Sequence, residues 1–248
     1  MRDAGWNAIN LAASIRALGI REGRRLIAAG NEPASEKVSA FSVYGHPFWI
    51  RHGTSDANVL IQSVFRGAYR AWLPADGAPA WILDLGANIG DSAVWFLARF
   101  PSARVLSIEP EPGNYELARR NLAPYGDRVI LLRAAIWPSD GHVRVRAVPE
   151  NPAGSEVGAV GDTDCAAVSV PTLMARYGIS HIDILKCDIE GTEAALFQPP
   201  PAWLARVDHI CIELHDANCR AAVREAARSR GFSERAYREV HVFRRSWT

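Results

Sequence analysis

The sequence predicts an α/β fold, a Rossmann-like, doubly wound and mostly parallel sheet, from three observations. Strand-like apolar runs alternate with helical segments from Trp81 to Ala227, the order of repeated strand–helix–strand units. The apolar run from Trp81 to Leu85 leads into a turn punctuated by glycines and then into a segment of helical composition. The stretch from Ser233 to Arg245 alternates well enough to predict an antiparallel strand pair at the C-terminal end.

The predicted core elements follow one another in a regular order. We expect strands at 81–85, 104–109, 128–136, 182–187 and 207–214, because each is a short apolar run. Helices are expected at 92–98, 111–122 and 173–177. The glycine-rich segment 151–164 is interpreted as a lid or substrate-recognition loop, with an insertion that has no role as the alternative.

Residues 1–70 are predicted to form an N-terminal extension, a cap or lid, on a core of residues 71–248. The apolar spacing from Gly5 to Ala29 predicts one or two amphipathic helices, and Phe41 to Arg51 predicts a β-hairpin. Ser55 or Asp56 can cap the helix that follows, and contact with the cofactor is an equally open interpretation of both. Arg51, just before them, is a candidate for substrate binding.

Composition limits the partners that we expect. The chain of 248 residues suits one domain, and its 28 basic and 27 acidic residues are interspersed. Because the formal net charge is only +1 and the acids and bases are interspersed, we expect no nucleic acid partner and no membrane contact. The four cysteines lack metal-ligand spacing and no secretion signal is visible, so we expect a cytoplasmic protein with reduced cysteines. The oligomeric state is left open, with a homodimer among the options.

The glycine turn indicates which cofactor the chain binds. A dinucleotide-binding turn needs a glycine where this sequence has Asn88, so a pyrophosphate would fit poorly. Asp84 ends the strand and would place negative charge in the crevice, which favours a cationic ligand. S-adenosylmethionine (SAM) carries an ammonium and a sulfonium and no phosphate. The residues assigned to its methionine part and to the close turn are Asp84, Gly86, Asn88, Gly90 and Ser92.

Glu109 supports a nucleoside-bearing cofactor. It ends the second predicted core strand, where an acidic side chain can accept hydrogen bonds from both ribose hydroxyls. A solvated carboxylate at a strand end is the alternative. Because enzymes that use NAD share this feature, an NAD-linked oxidoreductase remains a second candidate function.

One lysine and three carboxylates follow the strand at 182–187. Lys186 and Asp188 can share one side of that strand and form an ion pair. We expect this pair to lie next to the methyl group of SAM. Glu190 is a candidate for substrate binding, and Glu193 is interpreted as complementing a helix N-terminus. Ligands of open α/β sheets bind at the carboxyl ends of the strands, so we place the chemistry here.

Glu213 and His215 end the next strand and share one of its sides. His215 has an ordinary pKa near neutrality, so either His215 or Asp188 is the candidate general base. A structural hydrogen bond is an equally open interpretation of His215, and Glu213 is assigned to substrate binding. A divalent metal held by these acidic groups is left as an alternative and is not predicted.

Taken together, these motifs resemble the FkbM-type family of SAM-dependent methyltransferases. The similarity is carried by Asp84-Leu-Gly-Ala-Asn-Ile-Gly-Asp, Ile108-Glu-Pro, Leu185-Lys-Cys-Asp-Ile-Glu-Gly-Thr-Glu and Ile212-Glu-Leu-His, in this order. Arg51-His-Gly-Thr-Ser-Asp also resembles the segment that precedes the core in that family, so the similarity runs from about Arg51 to Phe243. The resemblance implies O-methylation of a hydroxyl on a small molecule, a sugar, polyketide or other secondary metabolite. Thr172-Leu-Met departs from relatives that carry an acidic residue after the Thr-Leu pair. A non-catalytic SAM-fold binding protein is the remaining alternative.

Overall fold

The N-terminal part of the chain forms two helices, a hairpin and a short helix. The computed structural model describes residues 4–69, 78–146, 151, 154–158, 161–237 and 240–245. The first elements are α1 (Ala4–Leu18), α2 (Ile20–Asn31), β1 (Val38–Val43), β2 (His46–Arg51) and α3 (Asp56–Leu60). A π-helical turn, Ile61–Phe65, continues α3. The predicted boundary between extension and core falls at residue 70, outside the described residues.

The core alternates strands and helices before it ends in two antiparallel strands. Its first half contains β3 (Trp81–Leu85), α4 (Asp91–Arg99), β4 (Arg104–Ile108), α5 (Pro112–Leu122), β5 (Val129–Leu132) and β6 (Ala135–Ile136). Next come β7 (Gly141–Arg146), β8 (Glu156–Gly158), β9 (Thr163–Val168), α6 (Val170–Arg176), β10 (Ile182–Cys187) and α7 (Glu193–Phe197). The chain continues with β11 (Val207–Glu213), α8 (Ala217–Ser229), β12 (Phe232–Tyr237) and β13 (Val240–Arg245).

The main sheet has seven strands in the order β12-β13-β11-β10-β3-β4-β5. Strands β11, β10, β3, β4 and β5 are parallel, while β13 pairs antiparallel with both β11 and β12. The predicted fold class, including the terminal antiparallel pair, is confirmed. The strand order reverses between β3 and β10, and the crevice beside such a reversal is where ligands bind in open α/β sheets.

A second sheet has four strands in the order β6-β9-β7-β8. It contains part of the segment predicted as a lid, because β8 and the start of β9 fall within 151–164. Residues 152–153 and 159–160 of that segment lie outside the described residues, so the lid interpretation stays a prediction. The strand predicted at 128–136 is in fact two strands in different sheets, β5 and β6.

The N-terminal elements share one hydrophobic core with the main sheet. Leu26, Phe48 and Leu60 are almost fully buried in the same cluster as Ile82 and Phe96 of the core. A second cluster, which includes Leu185 and Phe197, holds most of the remaining buried side chains. None of the helices in the described part of the chain has both the length and the apolar content needed to cross a membrane.

Candidate active site

A cavity of about 390 Å³ opens beside the carboxyl ends of β3, β4, β10 and β11. This volume lies within the usual range of small-molecule sites. Residues from these strand ends, from α3 and its π-helical turn, and from the segment around β8 form its wall. The predicted site residues on the wall are Ser55, Gly86, Asn88, Glu109, Lys186, Asp188, Glu190 and Glu213.

The turn after β3 forms part of the floor. Gly86 has a φ of +80°, and a Cβ at this position would lie 1.8 Å from the carbonyl oxygen of Asp188. Glycine is therefore required for the close approach of this turn to the end of β10. Asn88 also has a positive φ, +48°, and its Oδ1 is a buried atom without a hydrogen-bond partner. Gly90, whose φ is +86°, caps α4 and does not line the cavity.

Glu109 lies against this turn with only 4% of its surface exposed. Its carboxylate accepts hydrogen bonds from the backbone N–H groups of Asn88, at 2.7 Å, and Glu111, at 3.0 Å. Burial raises the pKa of Glu109 to about 8, although both N–H groups favour the charged form. The oxygens of this buried carboxyl group lie on the cavity wall, where they can accept hydrogen bonds from ligand hydroxyl groups.

Asp84 lies beneath the cavity and not on its wall. Its fully buried carboxylate accepts hydrogen bonds from the hydroxyls of Ser92 and Ser107 at 3.0 Å and lies 3.4 Å from Lys186 Nζ. The structure therefore differs from the prediction that Asp84 and Ser92 contact a ligand directly. It also differs from the predicted pairing of Lys186 with Asp188, because the parallel register puts Lys186 opposite Asp84 and β10 ends before Asp188.

Lys186 fixes the glycine turn from below. Its ammonium donates to the carbonyl oxygens of Leu85 and Gly86 in addition to its pairing with Asp84. Burial lowers the pKa of Lys186, but nearby carboxylates, Asp84 foremost, raise it by more, so the net shift is upward. Lys186 is thus a fixed positive charge that holds the turn.

Behind the cavity wall, His215 is surrounded by three carboxylates. Its Nδ1 lies 2.9 Å from Glu193 Oε1, and its Nε2 lies 3.4 Å from Glu190 Oε2 and 3.6 Å from Asp188 Oδ1. The hydrogen bond to the fully buried Glu193 is the largest cause that raises the pKa of His215 to about 9. His215 is therefore protonated at neutral pH and does not line the cavity, so the structure does not support it as the general base.

Asp188 and Glu190 are the carboxylates that the His215 charge faces on the cavity wall. Glu190 has an unusual φ of +52°, and burial followed by the charge of Asp188 raises its pKa to about 7. Oxygens of Asp188 and Glu190 and a ring nitrogen of His215 lie within 4.8 Å of one another, a spacing that a divalent cation could bridge. When no ion is bound, the protonated His215 supplies the positive charge at this position.

Arg51 and Asp56 serve the framework of the site. The Arg51 guanidinium donates to both oxygens of the fully buried Asp56 at 2.9 Å, and to Asn114 Oδ1 at 2.7 Å. Neither residue lines the cavity, contrary to their predicted roles in substrate and cofactor binding. Such a bidentate pair is geometrically specific, and it ties β2 to α3 and α5. Ser55 and Glu213 do lie on the wall, as their predicted roles require.

Two buried titratable residues on the cavity wall, Asp91 and Tyr69, are missing from the sequence-based assignment. Asp91 is 5% exposed, and burial raises its pKa to about 6. Tyr69 is 8% exposed and stacks on Phe96 with ring centroids 5.4 Å apart. Asp91 follows the turn glycine and is easily interpreted as an ordinary charge at a helix start, while no motif surrounds Tyr69.

Comparisons with known proteins relate the core of this chain to methyltransferases. The family model described as the methyltransferase FkbM domain matches residues 84–238. A tRNA1(Val) (adenine(37)-N6)-methyltransferase of Porphyromonas gingivalis is 35% identical over 96 residues, which cover 36% of this chain and 38% of the relative. Methyltransferase sdnD of Sordaria araneosa is 25% identical over 148 residues, 46% of this chain and 57% of the relative. This chain thus spans little more than a third to just over half of the length of these curated relatives.

Further matches extend the comparison to rRNA enzymes and to solved structures. Ribosomal RNA small subunit methyltransferase H of Mycolicibacterium smegmatis is 36% identical over 58 residues, 23% of this chain and 16% of the relative. The crystal structure of a methyltransferase from Geobacter sulfurreducens covers 68% of this chain and 72% of its own, with 22% identity and a TM-score of 0.41.

The tRNA and rRNA enzymes among the relatives overturn one expectation. The prediction that nucleic acid has no part as a partner is wrong, because it rests on a net charge near zero. Net charge is a sum over the whole chain, whereas contacts with phosphates depend on local groups.

Proposed function

The chain belongs to the FkbM family of methyltransferases, and on that premise we propose that it transfers the methyl group of SAM to a hydroxyl oxygen of a small hydroxylated molecule, such as a sugar or secondary metabolite. One observation carries the proposal: Asn88, Glu109 and Asp188 all line the same cavity, which lies where the strand order of the sheet reverses. These residues come from three separate strand ends. Their convergence suits a nucleoside at one side and a reacting group at the other.

The cavity wall has features that fit SAM. The buried carboxyl group of Glu109 offers oxygen acceptors to the ribose hydroxyls, and Asn88 Oδ1 is a buried acceptor without a hydrogen-bond partner in the protein. Gly86 lets the backbone approach a ligand without a side chain in between. Asp91 and Asp188 add negative charge on the wall, which suits the ammonium and sulfonium groups.

Asp188 is the base in this proposal. SAM supplies an electrophilic methyl carbon, which the acceptor oxygen attacks as the carbon–sulfur bond breaks. The hydroxyl proton passes to the Asp188 carboxylate, which is 30% exposed on its side chain and has one buried oxygen without a hydrogen-bond partner. The protonated His215 places a positive charge 3.6 Å from the Asp188 carboxylate. Positioning of the two reactants contributes up to roughly 7–11 kcal/mol in such reactions.

The decisive experiment is a mass-spectrometric screen for methyl transfer. Purified protein is incubated with SAM and a panel of hydroxylated small molecules, with total RNA as a separate arm. We expect S-adenosylhomocysteine (SAH) and one methylated small molecule. Turnover of SAM excludes the non-catalytic alternative. Methylation of RNA alone would mean that the acceptor is RNA and not a small molecule. Failure to bind SAM, or turnover that depends on NADH, would contradict the proposal itself.

The base is tested with the acceptor that this screen returns. Asp188→Asn keeps the shape of the side chain and removes its basicity, so we expect kcat to fall by about 10²–10⁴-fold. Asp208→Asn is the matched control, because Asp208 lies near the start of β11 and outside the cavity wall. If Asp188→Asn kept the full kcat, Asp188 would not be the base, and positioning of the two reactants would be the contribution of the protein to catalysis.

A further inference from the structure

The wall of the cavity carries more negative than positive groups. Within the described part of the chain, its bases are Arg66 and Lys186, and Lys186 is already paired with Asp84 beneath the wall. Its acids are Asp91, Glu109, Asp188, Glu190 and Glu213. Because a cleft lined by one sign of charge concentrates the opposite sign, this wall favours cationic ligands.

The methyl donor accounts for part of this negative charge. SAM carries an ammonium, a sulfonium and a carboxylate, so it brings a single net positive charge. In the proposed function, Asp91 and Asp188 face its two cationic groups, and Glu109 accepts hydrogen bonds from its ribose. The other two wall acids, Glu190 and Glu213, have no assigned role towards the donor.

The strand order separates these two acids from the nucleoside end of the cavity. Glu109 follows β4, while Glu190 follows β10 and Glu213 ends β11. In the order β11-β10-β3-β4, β10 and β11 lie two and three strands away from β4, or about 10 and 14 Å at the usual strand spacing. With the ribose at Glu109, the acids on β10 and β11 therefore border the space that remains for the acceptor.

His215 does not balance the negative charge at this end of the cavity. Its single positive charge faces three carboxylates, those of Glu193, Glu190 and Asp188, at 2.9, 3.4 and 3.6 Å. Burial and then the charge of Asp188 raise the pKa of Glu190 to about 7, and His215 only partly opposes this shift. A second cation beside Glu190 and Asp188 would thus be stabilised.

Both carboxylates are accessible to such a cation. The side chains of Asp188 and Glu190 are 30% and 29% exposed, and both line the cavity. Asp188 Oδ1 is in addition a buried atom without a hydrogen-bond partner in the protein. A ligand in the cavity can therefore reach these two carboxylates from the side opposite the buried Glu193.

We propose that the methyl acceptor carries a protonated amine as well as a hydroxyl group, and that the Glu190 carboxylate binds this ammonium next to Asp188. An ammonium offers three hydrogen-bond donors and leaves the proton on His215 in place. A divalent cation held by Asp188, Glu190 and His215 would instead require that proton to leave. This inference rests on the proposed function, because it presumes that the cavity holds a methyl acceptor beside the donor.

The amine would be recognised and not methylated. A protonated nitrogen has no lone pair to attack the methyl carbon, so the hydroxyl oxygen remains the nucleophile and Asp188 receives its proton. Amino sugars and amino alcohols with a ring have the required combination of groups. Acceptors that carry a carboxylate or a phosphate at the same place would be repelled by Glu190 and Asp188.

The experiment compares three probes on protein saturated with sinefungin, a SAM analogue that has an ammonium in place of the sulfonium. The probes are trans-4-aminocyclohexanol, trans-1,4-cyclohexanediol and trans-4-hydroxycyclohexanecarboxylate, which share a ring and a hydroxyl group and differ in charge. The pH is held near 8, above the Glu190 pKa of about 7 and below that of an alkyl amine, about 10. EDTA is present, and each titration is repeated with Mg²⁺ in its place.

We expect wild-type protein to bind the amine most tightly and the carboxylate most weakly, measured by ligand-observed NMR. Glu190→Gln should weaken amine binding by about tenfold, the effect of one lost hydrogen bond to a charged group, and leave diol binding unchanged. Glu225→Gln removes an exposed acid of α8 that is not on the cavity wall, and it should leave all affinities unchanged. The affinity for sinefungin should be the same in every variant.

Four results would each overturn this inference and leave the proposed function intact. They are equal binding of the three probes to wild type, unchanged amine binding in Glu190→Gln, an equal loss in Glu225→Gln, and amine binding that requires Mg²⁺. A wild-type protein that binds neither sinefungin nor SAM would instead overturn the proposed function.

Discussion

At the scale of single residues, His215 determines the charge state of the reacting side of the cavity. Glu193, which is fully buried, holds its Nδ1, and the opposite ring nitrogen faces Asp188 and Glu190. Cys219, a buried titratable group near Glu193, has a pKa that burial raises to about 12, so it stays neutral. The imidazolium thus places a positive charge among these three acids.

We expect His215 to titrate far above an ordinary histidine, with a midpoint near pH 9. Because its folded pKa lies above its unfolded value of about 6.5, His215 stabilises the fold fully below pH 6.5. That contribution is lost as the pH rises towards and through 9. Glu193→Gln should move the midpoint down, because it removes the largest cause of the shift. The measurement is the NMR chemical shift of the imidazole carbons against pH.

Glu234→Gln provides the matched control for this titration. Glu234 binds Arg224 and His241, away from the cavity, so its substitution should leave the His215 midpoint unchanged. A wild-type midpoint at 6.5 or lower would mean that His215 is neutral at physiological pH. The general-base interpretation of His215 would then return.

At the scale of elements, the site depends on how closely the β3 turn packs on the end of β10. The backbone N–H of Asp188 donates to the carbonyl oxygen of Leu85 at 3.0 Å, and Gly86 lies directly against the Asp188 carbonyl. Lys186 joins the same two strands from below. Any side chain at position 86 must therefore separate two backbones that three contacts hold together.

Gly86→Ala should destabilise the protein far more than an alanine at an open glycine with positive φ. We expect a loss of about 3 kcal/mol or more in the free energy of unfolding, together with loss of SAH binding, because steric overlap adds to the cost of the backbone conformation. Gly178→Ala is the control: its φ is +64° and its Cβ would meet nothing within 4 Å, so about 1–2 kcal/mol is expected. Urea denaturation measures the free energy of unfolding of both variants. Equal losses would show that the close approach of Gly86 to Asp188 does not contribute to the cost of the alanine substitution.

The elements also show what the sequence could predict. The strand at 81–85 and the hairpin were predictable because apolar spacing is a local signal, and the helix at 111–122 begins with Glu111 as its cap. The π-helical turn and the split of 128–136 into two strands depend on tertiary packing and leave no local pattern. In the site, motif spacing located Glu109 and Asp188 on the wall. It could not show that Asp84 is the partner of Lys186, because that pairing is set by register between distant strands.

At the scale of the whole molecule, the N-terminal elements and the sheet are joined by polar as well as apolar contacts. The Asn121 amide of α5 accepts a hydrogen bond from the backbone N–H of Trp49 at 2.7 Å and donates to the Trp49 carbonyl oxygen at 3.0 Å. It also donates to the carbonyl oxygen of Ile89 at 2.8 Å. One buried side chain thus links the hairpin to the turn that forms the cavity floor. Together with the shared hydrophobic cluster, this predicts that the described parts unfold as one cooperative unit.

Phe48→Ala tests this cooperativity. Phe48 lies on β2 and is 1% exposed, in the cluster that the hairpin shares with the sheet. Loss of such a side chain costs about 3–5 kcal/mol, so we expect the single calorimetric transition of the protein to move down by roughly 6–20 °C. Phe197→Ala is the matched substitution in the second cluster, where Phe197 is 0% exposed, and it should move the same transition by a similar amount. If Phe48→Ala instead produced a separate early transition and left the main one in place, the N-terminal elements would be an independent cap. The side of the cavity that α3 and its π-helical turn form could then open without unfolding the rest of the site, whereas a single transition means that both parts of the site form and are lost together.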